Sequence, residues 1–229
     1  MGTTFSPDTF FDLEAFAHKG LFKNCAYVWQ ALLNIENYFK EQKLGRLESE
    51  IRDGVFLANP EAISIGEGTV VEPGVFIKGP CIIGKNCQIR HGAYIRGNVI
   101  VGDHCVIGHT TELKHSIVLN HAKAAHFAFI GDTIIGNDVN LGAGVKCANL
   151  RLDGTQVVVR EKGDLIPTGL RKFGAIIGDF CQIGCNVVLN PGTLFGKGSR
   201  CFPCLTISGV VRDRKLVRPA TKQVIIEDL

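Results

Sequence analysis

From Ile65 onward an aliphatic residue returns at every sixth position: Ile65, Val71, Ile77, Ile83, Ile89, Ile95, Val101, Ile107, Leu113 and Leu119 open successive hexads. Glycine often takes the second place (Gly66, Gly84, Gly102, Gly108). A small or β-branched residue takes the fifth (Thr69, Val75, Cys81, Cys87, Ala93, Val99, Cys105, Thr111). Neither the 3.6-residue period of a helix nor the two-residue alternation of a half-buried strand fits this spacing. It predicts an all-β fold, a parallel β-helix with three short strands per coil. Glycine relieves the tight corners, and the aliphatic side chains stack inward on the next coil about 4.8 Å away. The beat returns at Ile135 and Leu141, then at Ile177, Ile183, Leu189, Phe195, Cys201 and Ile207. Two interruptions are therefore expected. One, near 125–134, reads as an inserted loop of about four residues that lifts His126 out of the stack; the other spans 148–174.

Upstream, NCAYVWQALLNIENYFKEQKLG carries Val28, Trp29, Leu32, Leu33, Ile35 and Phe39 at helical spacing, with Gly45 as a stop. It predicts an α-helical segment that covers the end or flank of the β-helix. The expected organisation is an N-terminal helical segment (1–50), a β-helix (60–212) with the two inserted loops, and a tail (213–229).

Composition narrows the function classes. The chain has 229 residues, 45% hydrophobic and 21% charged, enough for a sizeable core. A net charge of +3, with dispersed Lys and Arg, argues against nucleic acid. Neither an export signal nor a membrane-length apolar stretch is apparent, so a cytoplasmic protein without membrane partners is expected. MGTTFS fits only the loose myristoylation pattern. The nine cysteines are odd in number and include a single CxxC, CFPC at 201–204. Cys81, Cys87, Cys105 and Cys181 fall on the inward fifth position, so they read as reduced, small apolar fillers rather than disulfides.

Charged residues at the corner position need a reason. Lys78, Arg96 and Lys114 all take the second place of a hexad, one coil apart, and predict a vertical basic column. Stacked cations repel unless an anion lies among them. A solvated ladder with Glu112 or other acids nearby satisfies this, and so does a phosphate site, since Arg offers a bidentate fork and Lys a point charge. Six of the seven histidines (His91, His104, His109, His115, His121, His126) crowd one window, leaving His18 outside. The hexapeptide-repeat carbonic anhydrases bind zinc with a His-x4-His pair plus a third His about two coils upstream. The pairs 104/109 and 121/126 have that spacing, but the third place holds Gly68 or Lys85, so no metal is expected, although His91 lies near two coils before His126. A catalytic base needs a pKa near neutral and reach to its substrate, and His126, at the faltering repeat, is the candidate.

The run from GNVIVGDHCVIGHTTELKHSIVLNHAKAAHFAFIGD to TIIGNDVNLGAGVKCANLRLDG resembles the C-terminal acetyltransferase domain of bifunctional UDP-N-acetylglucosamine pyrophosphorylase/glucosamine-1-phosphate acetyltransferases. The resemblance covers roughly 60–210 and is most specific at ELK, KAxH, GD, IGNDVNLGAG and CAN. REKGDLIPTGLRKFGAIIGD is similar to the longer arm of archaeal sugar-1-phosphate nucleotidylyltransferase/acetyltransferase proteins. The resemblance implies a left-handed β-helix, a homotrimer with sites between neighbouring β-helices, and acetyl transfer from acetyl-CoA to an amino-sugar 1-phosphate, without a metal. It implies His126 as base, Asn149 beside the reacting amine, Arg96, Lys114 and Lys172 on the phosphate, and Asn140 on the sugar. The later hexads would line the acetyl-CoA channel, with Cys185, Pro203 and Arg212 as contacts, although Arg212, Arg214 and Lys215 read equally as a solvated turn. A backbone N–H near Cys185 or in the LGAG corner is the oxyanion candidate.

Three positions depart from the family: Phe129 and Leu150 replace tyrosines, and Cys185 replaces a serine. No nucleotidylyltransferase domain or Gly-rich GxGTRM-like loop is seen, so a separate nucleotidylyltransferase partner is expected. The competing reading is a non-catalytic sugar-phosphate-binding or scaffold protein.

Overall fold

A computed structural model describes residues 5–220. The myristoylation pattern at the first residues and the end of the tail, 221–229, lie outside the described residues. Three eight-stranded parallel sheets form the three faces of a prism. The first face runs from Phe56–Ala58 to Thr206–Ile207, the second from Ile63–Ile65 to Val210–Val211, and the third from Val70–Val71 to Leu216–Val217. The coils therefore continue past 212, and the start of the expected tail forms the last rung. Inside the prism the first-position aliphatics and the fifth-position cysteines form one closed core, with Ile77, Ile95, Leu113, Cys81 and Cys105 all fully buried. All nine cysteines are free thiols.

The stumble in the repeat is a shortening, not an insertion. Tyr94 pairs with Glu112, 18 positions on, but Val99 pairs with Ser116, 17 positions on. Ile117 pairs with Ile134, again 17 on. Both missing residues come from the corner between the first and second faces. Arg96-Gly97-Asn98 leads to Val99 there, whereas Lys114-His115 leads to Ser116 and Gly131-Asp132 to Thr133. The expected loop at 125–134 is instead regular coil, with strands Lys123–His126, Phe129–Gly131 and Ile134–Ile135. The inward phase shifts with it: Val118 joins the core, while Leu119 turns outward under the N-terminal segment.

The second face is covered. Its outward residues Ile100, Ile117, Ile134, Ile176 and Leu194 stack in one column and pack with Trp29, Leu32, Ile35 and Phe39 in a second core. Helix Gln30–Lys40 buries Ala31, Leu32, Ile35 and Phe39, while Leu33, counted in the expected stripe, faces solvent. The segment lies on a flank of the prism and is tied down by polar contacts. Asp179 accepts from the backbone of Asp12 (2.6 Å) and Asn137 (2.7 Å), and Asn120 donates to Ala15 O (3.1 Å). The 148–174 interruption carries an antiparallel hairpin, Val158–Glu161 with Asp164–Pro167, whose Val157 and Val159 join this second core together with Phe173.

Candidate active site

Apart from His18, the histidines sit at or beside the corners, and at His104, His115 and His121 the coil reversal is made with left-handed backbone. His104 and His121 (φ 58° and 61°) stack ring on ring at 4.8 Å between the second and third faces. His91, His109 and His126 rise in one column between the third and first faces. There Phe127 N donates to His109 O (2.9 Å) and Gly144 N to His126 O (3.0 Å). The same ladder continues upward, with Asn186 N on Ala143 O (2.8 Å) and Cys204 N on Cys185 O (2.8 Å). His126, Ala143, Cys185 and Pro203 are thus vertical neighbours, although 77 sequence positions separate the first from the last. The coils approach closely enough that a Cβ on Gly142 would lie 2.6 Å from Cys185 N, which is why glycine is required there.

The His126 imidazole is exposed and carries no side-chain hydrogen bond among the described residues. Above it, on the third face, an open groove of about 410 Å³ is lined by Asn140, Gly142, Cys185, Arg200, Phe202 and Pro203, among others. Two of the expected acetyl-CoA contacts, Cys185 and Pro203, therefore meet in one groove, and the expected sugar contact Asn140 joins them there, on the third face rather than beside Arg96 and Lys114. Arg212 does not join them. It ion-pairs with Glu161 of the hairpin and lies 5.5 Å from the Phe5 ring, and Arg200 takes the place on the groove wall. The proximity of Glu161 is a product of the hairpin and has no trace in the hexad pattern.

A second cluster lies across the first face. Arg96 is paired with Glu112 (Nη1 to Oε1 2.7 Å), and Lys114 approaches Asp132 (Nζ to Oδ2 3.5 Å). The basic column is thus a ladder with acids in it, as one of the two sequence readings expects. Asn149 Nδ2 donates to Asp132 Oδ2 (2.5 Å), and Leu150 bridges to Lys172, which is exposed. Phe129, half-buried, lies on the face between the two edges, with its ring tip over Gly131 beside the Asn149 amide. His126 is on the opposite edge of this face from Lys114 and Asn149. Gly131 is five positions further along the chain, which at strand rise is at most about 17 Å. Among the described residues no hydrogen bond or ion pair joins His126 to this cluster.

Asp132 and His115 belong to this cluster, and the hexad pattern did not single them out. Both occupy left-handed corners (φ 48° and 46°), and the 17-residue coil stacks one on the other with His115 Nδ1 3.0 Å from Asp132 Oδ1. The contact falls short of a completed hydrogen bond, and His115 Nδ1 is buried without another partner among the described residues. Burial opposes ionisation of Asp132, but His115, Asn149 and Lys114 outweigh it and hold the carboxyl below the usual carboxylate range. The available signal was the GD pair after ELK and KAxH, which the resemblance marked without a role. Among the described residues, no group of three or more His, Cys, Asp or Glu side chains is placed to hold a metal ion. No helix there is long and apolar enough to cross a membrane.

Comparison with known proteins agrees with this architecture. Residues 77–169 match the family model described as the GMPPB C-terminal domain. The bifunctional protein GlmU of Methanococcus maripaludis is 33% identical over 181 residues, covering 79% of this chain and 43% of that protein. The putative uncharacterized acetyltransferase YaiX of Escherichia coli K12 is 32% identical over 170 residues, covering 74% of each chain. The chain belongs to the hexapeptide-repeat acyltransferase family. The chain spans less than half the length of the bifunctional relatives it matches. The fold of this family member is the left-handed parallel β-helix. The UDP-N-acetylglucosamine acyltransferase of Francisella novicida superposes with a TM-score of 0.52 at 18% identity, over 74% of this chain and 66% of that one.

Proposed function

We propose that this hexapeptide acyltransferase moves an acetyl group from acetyl-CoA to the amine of an amino-sugar 1-phosphate such as glucosamine 1-phosphate. The observation that carries this is the column at one corner, with an exposed imidazole, His126, at the foot and the groove of Gly142, Cys185 and Pro203 rising directly above it. A thioester lying along that groove ends at His126. An ammonium cannot attack a thioester, so His126 removes a proton as the amine attacks; a positioned base typically contributes about 10²- to 10⁴-fold. In the Gly142–Gly144 corner the glycine N–H groups already donate to Ile183 O and His126 O, so the Ala143 N–H is the candidate to meet the developing oxyanion.

The acceptor fits across the first face, with its phosphate at Arg96 and Lys114, its ring over Phe129 and its amine towards His126. A hexose phosphate and two extended side chains bridge the width of that face, which is at most about 17 Å. The groove is open on its outer side, so a homotrimer that closes it with a neighbouring copy is part of the proposal, and so is Lys172 reaching the phosphate from the exposed arm. A separate nucleotidylyltransferase would activate the product. The alternative, a sugar-phosphate-binding or scaffold role, draws on the apolar Phe129 and Leu150 and on Arg96 and Lys114 already being paired with acids. Acetyl-CoA consumption with glucosamine 1-phosphate and galactosamine 1-phosphate separates the two. Turnover with either supports transfer; none with both, alongside measurable sugar-phosphate binding, favours the alternative.

A further inference from the structure

Three side chains converge on one buried carboxylate. Asp132 is 5% exposed, and its Oδ2 takes Asn149 Nδ2 at 2.5 Å and faces Lys114 Nζ at 3.5 Å, while Oδ1 faces His115 Nδ1 at 3.0 Å. These partners come from the coils on either side of Asp132, and they meet because two short corners put Asp132 directly above His115 and directly below Asn149. An unpaired carboxylate this deep would be strongly unfavourable, so the cluster is held as a unit.

The carboxylate also fixes the polarity of Asn149. An ionised carboxylate only accepts hydrogen bonds, so the atom facing it must be the amide nitrogen. The Oδ1 atom is left over, without a hydrogen-bond partner among the described residues. A lysine ammonium has three donors, and the long contact to Asp132 leaves at least two of them for another anion.

We propose that Asp132 is the positioning residue of the acceptor site. By taking the Asn149 amide N–H, it presents Asn149 Oδ1 as an acceptor to an N–H or O–H donor of the sugar, and it holds Lys114 for the phosphoryl group. Asn149 thus receives a proton-bearing group of the substrate and does not donate to its phosphate. The sugar-phosphate identity of the ligand rests on the function proposed above.

The test uses Asp132→Asn, Asn149→Asp and the double variant Asp132→Asn/Asn149→Asp in the full chain, with folding checked by circular dichroism. Asp132→Asn frees the amide to turn over, and we expect kcat/KM for glucosamine 1-phosphate to fall by about ten- to a hundredfold, as for loss of a charged hydrogen bond, with KM for acetyl-CoA unchanged. Asn149→Asp sets two carboxyl groups against each other and falls similarly. The double variant restores a donor–acceptor pair with an acceptor still at position 149, and at least half of the loss on a logarithmic scale returns. Asp132→Asn within twofold of wild type, or a double variant no better than the singles, overturns the proposal while leaving acetyl transfer intact. If wild type shows no turnover, calorimetric binding of glucosamine 1-phosphate decides. Weakened binding in Asp132→Asn, recovered in the double variant, upholds the positioning role although transfer fails; equal binding, or none by wild type, overturns it.

Discussion

Removing the Trp29 side chain should loosen the flank that holds the acceptor edge in place. Trp29 is 1% exposed, stacked on Tyr27 (centroids 4.6 Å apart, 7° between planes) and tilted against Phe5 at 6.0 Å and Phe173 at 6.1 Å. A buried Trp or Phe cut to Ala typically costs about 3–5 kcal/mol. Each aromatic pair adds about 0.5–1.5 kcal/mol beyond burial, so Trp29→Ala belongs at the upper end, near 5 kcal/mol. Phe173 is the link to the site: its N–H donates to Asn149 O (2.9 Å), and Lys172 precedes it. Urea unfolding followed by circular dichroism, with amide exchange at Phe173, reads both effects. Trp29→Ala should lower stability by about 3–5 kcal/mol, speed exchange at Phe173 and raise KM for the sugar phosphate, while Trp29→Phe loses less than half as much. A cost below about 1 kcal/mol, well short of the usual value for a buried aromatic, would show that the segment is not packed on the second face as described.

Three further outcomes follow from the site. The folded pKa of Asp132 is depressed, so its stabilisation is present above the unfolded value of about 3.9 and is lost as pH falls through the lower folded value. Stability measured across that acid range should fall more steeply for wild type than for Asp132→Asn, and parallel curves refute this. Alkylation should label exposed Cys185 and Cys204 first and spare Cys147 and Cys181, whose burial pushes their thiols up to about 12. Acetyl-CoA should protect Cys185; mass spectrometry showing no protection contradicts the groove assignment. Lys114→Ala should raise KM for the sugar phosphate about tenfold or more and leave KM for acetyl-CoA unchanged, whereas Arg212→Ala should affect neither.

The parts of the molecule that the sequence discloses are those set by the backbone period. Ile65 through Leu113 point inward because each coil repeats the last, and the same regularity puts Arg96 and Lys114 on one edge. The short corners at His115 and Asp132 were hidden because the deletion puts Val118 in the core while Leu119, one position on, keeps the apparent beat. An apolar residue just before the first position, as at Ile100, Ile117, Ile134 and Ile176, was the unread sign of the covered second face. The pairing of His115 with Asp132 and the capture of Arg212 by Glu161 are tertiary contacts between chain segments without a shared motif, so only the folded chain displays them.

The central claim is that His126 takes the proton in an acetyl transfer from the groove above it. Its most direct measurement is kcat with saturating acetyl-CoA and glucosamine 1-phosphate for wild type and His126→Ala. The account predicts a fall of about 10²- to 10⁴-fold with both KM values little changed. A variant as fast as wild type would contradict it.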